Sequence, residues 1–309
     1  MHSKTIRLVN SDHFASELYD YLGYCQIKNL SINTIGFYKD RLNSFFKFCS
    51  TEFNLTTPEE VSISEVRAFI RYSMDAGRSI KTINHNTQAI KAFYNYLLEE
   101  GRVSISPAVR VKPLKQEKKI IQTFSPNQVE ALLAGCNKHT FVGLRNYTIM
   151  LTLLDTGLRV SELCGLKMQD IDRSAGLLKV MGKGSKERMV PFGASLKRIL
   201  LEYLKRRGEV DNEDHVFLNQ YGEQMDRYLV LRMMQDIGKK SGVSDVRVSP
   251  HTFRHTFAKN WILAGGDSFS LQKILGHTTQ EMVSQYVNLA TGDIRIQHSK
   301  FSPVDRMIP

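Results

Sequence analysis

Between Ser249 and Tyr286 the chain reads SPHTFRHTFAKNWILAGGDSFSLQKILGHTTQEMVSQY, a stretch dense in side chains that can handle a phosphate. Ser249-Pro250 signals a helix start, a Ser cap followed by Pro at the first helical position. On that helix Phe253, Phe257 and Trp261 recur every four residues and predict an apolar stripe, while His251 and Arg254 lie three apart on another face. The same stretch continues through Leu275-Gly276-His277 to Tyr286. Taken singly, a His and an Arg on one helical face make a solvated surface, and a tyrosine is a half-buried packing residue. Two upstream segments complete a constellation: Thr156-Gly157-Leu158-Arg159-Val160-Ser161-Glu162-Leu163, and Gly182-Lys183-Gly184-Ser185-Lys186. Arginines that stay charged and bind bidentately, a lysine at a glycine turn, two histidines and a tyrosine are the parts needed for anion chemistry at a phosphate.

With those residues in order, the chain resembles the tyrosine recombinases of the phage-integrase and Xer type. The family pattern is an Arg in a TGLRxSEL turn, a Lys in a β-hairpin, HxxR, LGH and a nucleophilic Tyr, and residues 156 to 286 match it at every position. The resemblance implies six active-site residues, Arg159, Lys183, His251, Arg254, His277 and Tyr286, with Glu162 supporting them from behind. It implies a site-specific recombinase that breaks and rejoins DNA through a 3′-phosphotyrosyl intermediate, as a homotetramer on two synapsed duplexes, for integration or excision of a mobile element or dimer resolution. A type IB topoisomerase-like relaxation and a catalytically inactive DNA-binding regulator are the alternatives. In this chemistry Tyr286 attacks, the two arginines and His277 hold the non-bridging oxygens, and Lys183 at the family's GKG position protonates the leaving 5′ oxygen. Lys186 competes for that last role, and His251 either accepts the tyrosine proton or hydrogen-bonds the phosphate. Rejoining uses the stored phosphotyrosyl bond, so no cofactor is expected, and no metal: there is no P-loop and no carboxylate cluster suited to two magnesium ions.

The elements that must position these groups are mostly helical. Phe14 to Cys25, a segment capped by Ser31, Val66 to Met74, and a segment from Ser79 to a stop at Gly101 predict a bundle of about four helices. Pro107, Pro113 and the lysines at 112, 115, 118 and 119 mark a basic linker, after which Ser125 with Gln128 forms a capping box. Tyr147 to Leu154 makes a buried helix closed by Gly157, with a short helix from Ser161 to Leu166 next. Leu177 to Met181 and Arg188 to Val190 read as a hairpin joined through Lys183. The expected fold is mainly α with a small β-hairpin: residues 1–110 a helical core-binding domain that clamps DNA, 111–122 a basic linker, and 123–309 a mixed α+β catalytic domain with a C-terminal tail. In the last bundle helix Lys81, Asn84, His85, Asn86 and Gln88 form a polar block, read either as a solvated face or as a DNA-facing edge.

Length and composition agree with this. The 309 residues suggest two domains, and 42% hydrophobic with 24% charged residues is ordinary globular composition. The net charge of +11 divides into +5 over residues 1–119 (17 basic, 12 acidic) and +6 over the rest (25 basic, 19 acidic), so both halves suit a polyanion such as double-stranded DNA. Cys25, Cys49, Cys136 and Cys164 have no metal-ligand spacing and are expected as reduced thiols. The first ten residues lack an apolar core for a signal peptide and the most apolar run, 148–154, is too short to span a bilayer; a cytoplasmic, nucleoid-associated protein is expected. Beyond Tyr286, Ile294, Ile296, Phe301, Val304, Met307 and Ile308 give the tail apolar residues that dock either on its own core or on a neighbouring subunit.

Overall fold

The computed structural model describes residues 13–116, 121–182, 187–276, 279, 283–284, 286, 298–299 and 302–307. The chain divides into two compact units, Met1–Lys119 and Ile120–Pro309.

The first unit is built from α1 (His13–Ile27), α2 (Ile32–Phe53), α3 (Ile63–Asp75) and α4 (Ile80–Glu99). Ser31 and Ser79 cap α2 and α4 by accepting from the Thr34 and Thr82 amides, and Ser62 with Glu65 forms a capping box on α3. Each cap satisfies amides that the first helical turn would otherwise leave unpaired. The core is aromatic: Phe14 stacks on Phe46 with ring centroids 4.7 Å apart, and Phe45, Phe69, Phe93 and Tyr94 fill the space between α2, α3 and α4. The chain beyond α4 stays attached to this unit. Val111 is buried in the same core, and the Asn84 carboxamide both donates to the Leu114 carbonyl (2.9 Å) and accepts from its amide (2.8 Å).

The second unit carries α5 (Pro126–Ala134), α6 (Phe141–Thr156), α7 (Val160–Cys164), α8 (Ala194–Arg207), α9 (Arg227–Lys240), α10 (Pro250–Leu263), α11 (Ser268–Leu275) and α12 (Pro303–Met307). Its sheet is antiparallel in the order β1 (Ile171–Asp172), β2 (Leu177–Met181), β3 (Glu187–Pro191). Lys179 sits opposite Met189 in the register. Leu178, Val180 and Val190 point from the sheet into the core, as the period of two requires. Helix α6 is central, packing against both α8 and α10. The short helix begins at Val160, one residue earlier than its sequence suggests, because Arg159 itself takes the capping position.

The stripe on α10 does not form one wall. Phe253 joins the main core against Phe124, whereas Phe257 and Trp261 belong to a separate cluster with Leu271, Leu275, Val283 and Tyr286. That second cluster meets the end of α6 at Gly157, which closes the helix at φ +61°. A Cβ on Gly157 would lie 2.4 Å from the Phe257 ring and 2.7 Å from Leu275. Gly157 is therefore fixed by both conformation and contact, since side chains of α10 and α11 close over it. Gly157→Ala is expected to destabilise the second unit by roughly 2–4 kcal/mol, combining left-handed strain with overpacking. Thermal denaturation of the variant checks this; a melting temperature equal to that of the parent would contradict it.

Candidate active site

Two helix ends and one turn gather the polar residues. Helices α6 and α11 both stop at left-handed glycines, Gly157 and Gly276, leaving their last carbonyls without amide partners. Arg254, projecting from α10, donates to the Gly157 carbonyl at 2.6 Å and the Leu275 carbonyl at 2.8 Å. Arg159 donates to the same Leu275 carbonyl at 3.2 Å and to that of Gly276 at 3.1 Å. Two guanidiniums thus converge on one carbonyl, each at the negative end of a helix dipole. Arg254 is only 4% exposed, whereas His251, three residues earlier on α10, is exposed.

Glu162 balances part of this charge. Its carboxylate is buried and receives Arg159 Nη1 at 2.9 Å, the Arg159 amide at 2.8 Å, and both Nη atoms of Arg188 at 2.8 Å. Arg188 Nε also donates to the Ile274 carbonyl at 2.8 Å, tying β3 to the end of α11. Burial pushes the Glu162 carboxyl up, but the hydrogen bonds and charge of Arg188 and the bonds from Arg159 outweigh it, and the net shift is downward. Burial, then the neighbouring Arg159 charge, brings Arg254 down to about 10, which leaves it cationic at neutral pH. Arg159 and Arg188 share the Glu162 carboxylate while Arg254 bonds to carbonyls, so three guanidiniums stand against one carboxylate, an excess of two positive charges.

Tyr286 lies in the same cluster, 3% exposed, with its hydroxyl 2.7 Å from Nδ1 of His255. Burial raises its pKa, opposed by the charges of Arg254 and Arg159, so the phenol is protonated at neutral pH. His255 is brought down to about 4 by burial first and by His251 and Arg254 next, and is a neutral imidazole. Arg159, Glu162, Arg254 and Tyr286 are therefore brought together, with His251 one turn from His255 on α10. Lys183, Lys186 and His277 lie outside the described residues.

Sequence reasoning passed over two members of this group. Arg188 carried a signal as a cation on a strand otherwise alternating toward the core, and His255 as a second histidine one helical turn after His251. In the first unit the polar block on α4 divides: Lys81 and Gln88 are exposed, Asn84 is engaged with Leu114, and Asn86 is buried and accepts from Arg41 at 3.4 Å. Among the described residues one trio has metal-ligand proximity, Glu213, Asp214 and His215, and it sits on the loop after α8 where Lys167 takes Asp214 and His215 takes Glu213.

Residues 122–292 match the family model for the phage integrase family, and residues 18–101 match that for the phage integrase N-terminal SAM-like domain. The chain belongs to the phage integrase family of tyrosine recombinases. It is 31% identical to the tyrosine recombinase XerD of Listeria innocua over 291 residues, covering 92% of this chain and 97% of that one. It is 32% identical to the tyrosine recombinase XerC of Bacillus pumilus, covering 92% and 95%. Its fold is shared with the solved structure of the XerH site-specific recombinase bound to palindromic difH substrate in a post-cleavage complex, at TM-score 0.74 and 20% identity over 96% of this chain and 91% of that one. As a tyrosine recombinase the protein is a site-specific DNA recombinase acting by strand cleavage and rejoining, and no observation favours strand relaxation or an inactive regulator. Among the described residues no helix is long and apolar enough to cross a membrane.

Glu162→Gln should destabilise the unit by about 3–5 kcal/mol at pH 7, because it removes a buried carboxylate from partly buried Arg159 and Arg188. Since the folded pKa of Glu162 lies below its unfolded value, its contribution is complete above the ordinary carboxylate range and fades as pH falls through the lowered value. The gap in unfolding free energy between parent and variant should therefore narrow on acidification. A gap independent of pH would contradict the ion-pair account.

Proposed function

We propose that Tyr286 attacks a DNA phosphodiester, forming a 3′-phosphotyrosyl bond while Arg159 and Arg254 hold the non-bridging oxygens. The observation that carries this is the shared Leu275 carbonyl: it fixes two charged, bidentate donors side by side in the cluster that also holds Tyr286. His277 and His251 add donors to the same phosphate, and Glu162 and Arg188 orient Arg159. Lys183 protonates the departing 5′ oxygen, with Lys186 as the competing acid on the same turn. Neither a metal nor a nucleotide is required, since the phosphotyrosyl bond conserves the energy needed to rejoin.

Residues 1–110 clamp double-stranded DNA with the basic segment 111–122 along its backbone, Lys81 and Gln88 offering the exposed contacts on α4, and residues 123–309 catalyse. The protein works as a homotetramer on two synapsed sites, in the cytoplasm on the nucleoid; integration or excision of a mobile element and dimer resolution draw on the same chemistry. The tail joins subunits. Val304 and Met307 on α12 are 60% and 79% exposed, and a cavity of about 680 Å³ lined by Val129, Leu133, Cys136, Tyr147 and Leu154 offers an apolar seat on a neighbouring copy. Because Tyr286 is buried, docking of the tail in trans also provides a way to expose the tyrosine only after assembly.

On a nicked suicide substrate, Tyr286→Phe should bind DNA with parental affinity and form no denaturant-resistant adduct; an adduct with the Phe variant would refute the nucleophile. In the same assay Lys183→Ala should cleave slowly and recover with a bridging 5′ sulfur, which leaves without a proton, whereas rescue of Lys186→Ala instead would reassign the acid. Deleting residues 295–309 should preserve binding to one site while cooperative assembly and strand exchange fall together. A lower melting temperature of the deleted protein without DNA would place the tail on its own core.

A further inference from the structure

We propose that His255, not His251, removes the proton from Tyr286 as it attacks the phosphodiester, an inference that rests on the nucleophile role of Tyr286 given above. The geometry is direct. His255 Nδ1 and the Tyr286 hydroxyl oxygen are 2.7 Å apart, with the rings tilted at 44° and their centroids 5.6 Å apart. His251 is exposed at the start of α10, one turn earlier.

The electrostatics fit a proton acceptor. Burial first, and then the neighbouring His251 and Arg254, keep His255 neutral, so one ring nitrogen has a lone pair to offer, and with the phenol as donor that nitrogen is Nδ1; burial keeps the Tyr286 phenol protonated and in need of a base. An entering phosphodiester brings a negative charge between Arg159 and Arg254. That charge cancels part of the field holding His255 down and raises its basicity at the moment the nucleophile forms.

The step balances as follows. The Tyr286 O–H bond breaks and its proton moves to His255 Nδ1. The phenolate oxygen forms a bond to phosphorus as the bond from phosphorus to the 5′ oxygen breaks, and that oxygen takes a proton from the leaving-group acid. In rejoining, the 5′ hydroxyl gives its proton back to the leaving-group acid, now deprotonated, as its oxygen bonds to phosphorus; the bond from phosphorus to the Tyr286 oxygen breaks, and imidazolium His255 returns its proton to that oxygen. His255 thus serves both directions, as an exchange reaction requires.

The test is single-turnover cleavage of a suicide substrate by the full chain across pH 6–9, for the parent, His255→Asn, His255→Ala and His251→Asn. Asn at 255 retains an acceptor near the Nδ1 position but cannot take a proton, so it separates proton transfer from packing. His255→Asn should slow cleavage about 10²–10³-fold near neutrality, the range typical of a lost general base, with a residual rate that climbs about tenfold per pH unit as hydroxide substitutes. Added imidazole should saturably accelerate His255→Ala. His251→Asn should keep the parental pH profile, weakened through phosphate binding, and gain nothing from imidazole. A steep profile and imidazole rescue in the His251 variant, with a flat profile in His255→Asn, would overturn the proposal. A His255→Asn rate within threefold of the parent would overturn it too. Adduct formation on Tyr286 by the parent is scored separately, so loss of the nucleophile reading would show there and not in the histidine variants.

Discussion

Two guanidiniums held on the carbonyl ends of two helices set the conditions for the rest of the catalytic unit. Removing an ion from water costs several kcal/mol even after relaxation, and Arg254 is almost wholly buried. What offsets that cost is geometry: unpaired carbonyls of α6 and α11, aligned with the helix dipoles, and the single carboxylate of Glu162 shared between Arg159 and Arg188. At an effective dielectric near 20, one such charge pair at about 4 Å is worth about 4 kcal/mol, so a carboxylate shared by two arginines decides whether the arrangement stands. Because the positive charge is only partly cancelled, an anion placed there would be stabilised. On the proposed function, the binding site and the electrostatic stabiliser of the reaction are one structure.

Several features of the fold follow from keeping those helix ends together. Gly157 and Gly276 must be glycine-like in conformation for α6 and α11 to end where they do, and Gly157 must also lack a side chain for Phe257 and Leu275 to close over it. Arg188 carries the connection from the sheet, through Glu162 and Ile274, so the hairpin is anchored at the start of its second strand, next to the turn. The apolar cluster of Phe257, Leu271, Leu275 and Val283 then holds Tyr286 beside the arginines while shielding it from solvent. Placement and concealment of Tyr286, the proposed nucleophile, come from the same packing.

Much of this was legible in the residues. Serine caps at 31, 79, 125 and 249 and the glycine stop at 157 act locally, so sequence shows them directly, and the helix boundaries follow. The hairpin was readable because β2 and β3 alternate between core and solvent. What sequence could not show were contacts made by backbone carbonyls, since every residue has one. For that reason the sequence marked Arg254 as a phosphate ligand but not what holds it, the carbonyls of residues 157 and 275, 97 and 21 positions away. His255 was overlooked because the HxxR pattern drew the eye to His251, and only tertiary packing places Tyr286 against the later histidine. Arg188 was hidden similarly: its worth lies in a carboxylate 26 residues earlier.

The central claim is that this carbonyl-held arginine pair receives the scissile phosphate with Tyr286 in line. Its most direct measurement is the crystal structure of the protein trapped as a covalent complex on a nicked suicide substrate. The account predicts electron density continuous from the Tyr286 oxygen to a 3′ phosphate, the non-bridging oxygens within about 3 Å of Arg159 and Arg254, and both arginines still on the Leu275 carbonyl. A phosphate bonded to another residue, or lying away from both guanidiniums, would contradict it.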